Sequence, residues 1–295
     1  MDAARRVPAR QPLSVAGPSE HRRRVVDRIA TMLVITSAAL SSGVLVLILG
    51  YVAWRGAPAL NLAFFTERPL PYGEVGGGVA PAILGTLLML LVASLISVPL
   101  GVGTAIYLSE FGRGHFARLV RLVIDLLAGL PSIVVGVFVW ALLVRHVVGA
   151  YSGIAGAVAL AIIMVPIMTR TVEEILRLVP NALREGSLAL GVPCWRTILG
   201  VVLPTGRVGV ITGVVLSLAR AGGETAPLLL TALGNQFFNF NLFEPMASLP
   251  VQIYTYAVSP YDDWHTKAWG SALILVFVIG CLSLLTRAAT RRGGF

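Results

Sequence analysis

Two ionisable side chains lie inside one of the most apolar stretches of this chain. In Arg220-Ala-Gly-Gly-Glu224-Thr225-Ala-Pro227, an arginine and a glutamate are four residues apart and so share one face of a helix. Arg220 follows Val208 by 12 residues, which at about 1.5 Å per residue puts it roughly 18 Å into an apolar layer about 30 Å thick. An arginine at that depth costs about 2.5–3.5 kcal/mol on insertion scales, so it needs a partner or a wet path. Two roles are open. The pair locks helices together, or Arg220 offers its planar fork to an oxyanion while Glu224 holds and releases it. Thr225 adjoins the pair and belongs to the same candidate site. Arg170, at the end of another apolar run, either lines the mouth of the same path or anchors its helix. Asp125 is expected to pair with Arg121, one turn back.

A second group of residues suits docking. The stretch 170–207 is the longest charged one in the chain. Thr171–Val179 has helical spacing, Pro180 interrupts it, and a second helical segment runs from about Ala182 to Leu190. Gly191 and Pro193 make a turn, after which Trp195–Val202 continues to Leu203 and Pro204. Two short helices joined at a glycine form a compact knob, and Leu188, Val192, Trp195 and Leu199 give it an apolar side for a partner's groove.

The elements that position these residues are membrane spans. Of 295 residues, 56% are hydrophobic and 13% charged, and mean hydropathy is +0.84; a soluble domain carries about 25% charged residues. Six apolar runs reach spanning length: roughly Ile29–Trp54, Ala80–Leu108, Leu119–Val144, Ala150–Met168, Val208–Leu233 and Ala268–Leu285. The fold class expected is all-α and polytopic. The net charge of +9 is positional rather than a groove for nucleic acid. Seven arginines precede Ile29, and others cluster after the second and fourth spans and in the tail, whereas Arg55, Arg68, Arg145 and Lys267 lie on the opposite side. That asymmetry places both termini in the cytoplasm. The first run exceeds the 7–15 residues typical of a signal peptide and reads as an uncleaved span. Residues 1–28 read as a disordered basic arm that can touch lipid, 29–288 as the membrane domain with the 170–207 loop, and 289–295 as a cytoplasmic tail. Cys194 and Cys281 are isolated, and the four histidines are scattered, which implies neither a disulfide framework nor a metal site. No G-x-x-x-x-G-K-[ST] segment exists, and Lys267 is the only lysine, so the chain has no nucleotide phosphate loop.

A resemblance now becomes visible. Glu185-Gly-Ser-x-x-x-Gly191 followed by Val201-Val-Leu203-Pro204 resembles the EAA motif of type I ABC-importer permeases, with Gly186 and Ser187 where two alanines are usual. Arg220–Leu229, Ala128–Val134, Pro99–Phe111 and Gly76–Thr86 are similar to the PstA family of phosphate permeases; the likeness covers about residues 30–288. Sulfate and molybdate permeases share the coupling loop and an arginine near this place. The resemblance implies a MetI-like fold in the bacterial plasma (inner) membrane, in a non-catalytic subunit. It further implies a heterodimer with a homologous PstC-like permease and two PstB-like ATPase subunits seated on the coupling loop. A PstS-like phosphate-binding protein would deliver ligand from outside. ATP and Mg would belong to the ATPase, with no cofactor in this chain. The rivals are an ion-coupled secondary transporter, with Glu224 relaying protons, and a purely structural assembly subunit.

Overall fold

The computed structural model describes residues 18–71 and 74–291, and side chains outside 18–21, 282 and 285–291. Most of the basic arm and the end of the tail lie beyond the described residues. Two units are distinguished, 1–51 and 52–295. In its described part the first is helical, the leading stretch of α1 (Pro18–Gly56), and every described side chain from Arg22 to Tyr51 is exposed. The helix begins at Pro18, inside the segment expected as an arm; its apolar part has a mean hydropathy of 2.4 over its best window. A helix apolar all round belongs in lipid.

The second unit is built on α3 (Ala80–Ile106) and α6 (Gly153–Leu178), which share the most extensive contact in the fold. Lipid tails give helices no hydrophobic reason to associate, so close packing of small residues must supply the contact. Accordingly Ala155, Ala157, Ala159 and Ala161 of α6 are all buried, and Met89, Leu160 and Met164 fill the centre. The first amides of α6 would be orphaned. They are taken by carbonyls of residues 231–244, far along the chain: Ser152 N–H donates to Thr231 O, Gly153 to Glu244 O and Ile154 to Leu242 O, at 2.7–3.0 Å.

Four helices among the described residues are long and apolar enough to cross a membrane, or up to six if each of two bent pairs is one span. The expected third span, Leu119–Val144, is not one straight helix. It divides into α4 (His115–Gly129) and α5 (Ser132–Val139) with a wide π-type continuation to Val148, and the halves are bent by 103°. The cause is local: a proline displaces the preceding residue from helical geometry, and Leu130, before Pro131, sits at φ −70°, ψ 135°. The expected fifth span also differs. Its helix, α10 (Arg207–Gly222), stops at the Gly222–Gly223 pair, and the chain resumes as α11 (Ala226–Thr231) with Pro227 in its first turn. The two breaks are neighbours, because α5 and α11 pack together where a Cβ on Gly136 would lie 2.7 Å from the Cα of Pro227.

In the opposite sense, α6 runs on past Met168 to Leu178, so Arg170 is within a helix rather than at the start of a loop. Between α6 and α10 stand α7 (Asn181–Ala189), α8 (Cys194–Thr197), a π-type turn over Ile198–Val202 and α9 (Leu203–Thr205). A short α2 (Leu62–Thr66), α12 (Leu249–Ala257) and the final α13 (Asp262–Arg291) complete the unit; α2 and α12 fall between the expected spans.

Candidate functional site

The α7–α9 segment is held by local chemistry that explains its glycine. Gly191 is at φ +78°, with its N–H donating to Leu188 O at 2.9 Å and the Val192 N–H to Ser187 O at 3.2 Å. These are the two bonds of a Schellman end, which needs a left-handed residue where Gly191 stands. Across the turn, the hydroxyls of Ser187 and Thr197 are 2.9 Å apart and buried, tying α7 to α8. Ser187 therefore has a contact an alanine would lack, and Gly186 has open space around it. Trp195, Leu188 and Leu199 remain exposed, at 57%, 49% and 57%, and the Arg196 guanidinium lies 5.0 Å from the Trp195 ring centre. Glu185 and Pro204 are exposed and Leu203 is half-buried. Gly191→Val should cost about 1–2 kcal/mol of local stability, because a left-handed L-residue is strained by about that much. Proteolytic nicking between Ala189 and Pro193 should then rise about 5–30-fold; unchanged nicking rates would refute this account of the turn.

The Arg220–Glu224 pair is formed, with Arg220 Nε 2.9 Å from Glu224 Oε1. Its setting differs from a continuous helix. Arg220 lies in the last turn of α10, where a cation suits the helix's carbonyl end, and Glu224 is brought back by a turn in which its N–H donates to Ala221 O at 3.2 Å. The glutamate side chain is 10% exposed and the arginine 61%. The free edge of Arg220 borders a cavity of about 170 Å³, whose other walls are the α4–α5 break (Leu130, Ser132) and α6 (Ile163, Pro166). This pocket is the volume of a small solute, and its lining side chains include one cation and one hydroxyl, the rest being apolar. Thr225 stands half-buried at the second break, before α11.

Arg170 does not join Arg220. It pairs with Asp125 of α4, and Arg121, the partner expected for Asp125, donates instead to Glu173 at 3.0 Å and to Leu108 O at 2.9 Å. Sequence spacing ranked the neighbour one turn away above a residue on another helix, and α6 brings Arg170 and Glu173 against α4. Glu173 is buried and also receives Arg177 at 2.6 Å.

Sequence reasoning missed one further pair. Arg184 of α7 makes a two-pronged contact with Glu110, Nε to Oε2 at 2.9 Å and Nη2 to Oε1 at 2.7 Å. The Glu110 carboxylate, through these hydrogen bonds first and its charge besides, raises the guanidinium pKa above its usual value, against the opposing effect of burial. The signal was an acid closing the apolar run Pro99–Phe111 and an arginine beside Glu185; their meeting depends on tertiary packing. Among the described residues no group of histidine, cysteine or acidic side chains could hold a metal.

A family model described as binding-protein-dependent transport system inner membrane component matches residues 97–292. The phosphate transport system permease protein PstA of Yersinia pestis is 42% identical over 266 residues, covering 90% of this chain and 90% of that protein. The chain belongs to the PstA family of inner membrane permeases. Solved structures agree on the fold. A chain of the bacterial alginate ABC transporter matches with a TM-score of 0.63 at 14% identity, covering 91% of this chain and 98% of its own. A chain of the MetNI methionine ABC transporter, in inward-facing conformations, matches at 0.59 and 20% identity, over 74% and 95%. This PstA-family chain is therefore an inner membrane transport component, all-α and MetI-like in fold, with several helices of spanning length among the described residues.

Proposed function

We propose that this PstA-family permease forms half of the translocation path of an ATP-driven inorganic phosphate importer. The observation that carries the reading is the Arg220 guanidinium, held on one edge by Glu224 and open on the other to a small cavity between two helix breaks. Phosphate cannot cross hydrocarbon bare, and a path that binds it too well will not release it. A single arginine, partly neutralised by a glutamate, meets both demands. Thr225 stands beside this site. Arg170, tied to Asp125, lies one turn along α6 from Pro166 and Ile167 of the cavity wall and borders its approach.

The other half of the path belongs to a homologous PstC-like permease. Two PstB-like ATPase subunits bind ATP and Mg, and the segment holding Glu185, Gly191, Trp195, Leu203 and Pro204 seats in one of them. A PstS-like protein delivers phosphate from outside. Both termini face the cytoplasm, as the arginine asymmetry favours. The name of the Yersinia pestis relative supports phosphate over other oxyanions.

Two measurements test this. Uptake of labelled phosphate by the assembled complex should be displaced by excess unlabelled phosphate and untouched by equal sulfate or molybdate; displacement by sulfate would assign another oxyanion. Glu185→Lys should weaken ATPase binding about tenfold or more, as a reversed charge at an interface does, while membrane insertion stays intact. Co-purification of the ATPase in undiminished yield would remove Glu185 from the docking surface.

A further inference from the structure

Arg184 uses every donor it has. Its five N–H groups are all engaged: two with the Glu110 carboxylate, one with Leu176 O at 2.8 Å, one with Val179 O at 2.5 Å and one with Asn181 Oδ1 at 3.3 Å. Leu176 and Val179 are the last turn and cap of α6, where carbonyls run short of donors from their own helix; among the described residues, Leu176 O otherwise receives only the Val179 N–H, at 3.3 Å. Glu110 closes the π-type turn that prolongs α3. One side chain of α7 thereby fixes three elements at once, and it is largely out of solvent, at 18% exposure against 9% for Glu110. A second tie lies alongside, where Arg121 of α4 holds both Glu173 of α6 and the Leu108 carbonyl.

We infer that the Arg184–Glu110 contact is a rigid joint, through which α7 moves as one body with the ends of α3 and α6 when the ATPase shifts it. This rests on the reading of α7 as the ATPase-docking segment. The line from joint to cargo site is short and unbroken. α6 is one helix from Gly153 to Leu178; it supplies the joint with Leu176 and the Arg220 cavity with Ile163 and Pro166, about 15–20 Å away along its axis. The other exit from the docking segment is bent by 70° where α10 begins, so the stiff route runs through α6. Arg184 and Glu110 are positioning residues in this scheme: neither touches the transported ion.

The geometry, not the charge, is what the joint requires. A lysine keeps the charge but cannot engage a carboxylate with two prongs and two carbonyls together. In the complete complex in proteoliposomes, Arg184→Lys and Glu110→Gln should leave assembly and ATP hydrolysis in place while phosphate moved per ATP falls about tenfold or more. Unchanged uptake per ATP in both variants would overturn the joint. A second measurement does not depend on the variants folding. With Cys194 and Cys281 replaced by serine, spin labels at the exposed Leu190 and Phe111 should keep one separation in the nucleotide-free and ATP-bound wild-type complex. A change of more than about half a helical turn, ~3 Å, would show α7 sliding past α3 and refute the joint. The two failures are separable: a wild-type complex with no ATP-driven uptake contradicts the docking reading, whereas a moving label pair in a coupled complex contradicts the joint alone.

Discussion

Arg220→Ala should abolish phosphate uptake while the variant still inserts, assembles and supports ATP hydrolysis by its partners. The side chain is 61% exposed and borders the cavity, so its removal leaves little packing behind. What it loses is a pair of charge-assisted hydrogen bonds to the ion, each worth about 1.5–3 kcal/mol, hence at least about a 100-fold fall in rate. Arg220→Lys should retain a fraction of activity, since a point charge remains without the fork. Glu224 would be left as a buried carboxylate without its cation, and Arg220→Ala with Glu224→Gln should recover any stability the single change costs but none of the transport. If Arg220→Ala instead prevents assembly, the pair is a lock between helices and the cavity is incidental.

Gly209→Leu should be comparably severe by a different route. A Cβ at this position would lie 2.3 Å from Ile175 Cγ2 and 2.4 Å from its Cβ, and neighbouring Gly206 and Gly213 meet Leu176 and Val172 at 2.7 and 3.0 Å. The β-branched Ile175 cannot swing its Cβ aside, so α10 must separate from α6. Overpacking costs about 1–3 kcal/mol in ordinary cores, and here it also displaces Arg220 from the α6 wall of its cavity. Complex yield should fall severalfold and uptake should drop to background. Gly186→Ala is the matched control: nothing stands within 4 Å of the added Cβ, and the change should be silent or slightly stabilising, by about 0.5–1 kcal/mol, as alanine is in a helix interior. Normal yield and uptake from Gly209→Leu would show that α10 tolerates separation and that the seam does not position Arg220.

The parts of this fold legible in the sequence were those governed by local composition. Span-length apolar runs, the helix start at Ala80 and the turn at Gly191 follow from hydropathy, proline and glycine within a few residues. The Arg220–Glu224 pair was also legible, because i and i+4 side chains meet whether the backbone stays helical or turns just after Arg220. Straightness was not legible. Apolar continuity from Leu119 to Val144 conceals the 103° bend at Leu130–Pro131: Pro131 supplies the local break, but a spanning helix tolerates proline, and where the second half goes is set by its packing on α11. Ion-pair partners across helices were illegible for the same reason. Asp125 had Arg121 one turn away, and only the approach of α6 gives it Arg170 and leaves Arg121 for Glu173. Glu110 and Arg184 are 74 residues apart, and nothing short of the packed α3–α6 pair brings them together.

The most direct measurement is labelled phosphate uptake into proteoliposomes holding this chain with a PstC-like permease, the ATPase and the phosphate-binding protein. Uptake should require ATP and every component, and this chain alone should carry none. Phosphate entry through this chain by itself, indifferent to ATP, would contradict its assignment as half of an ATP-driven path.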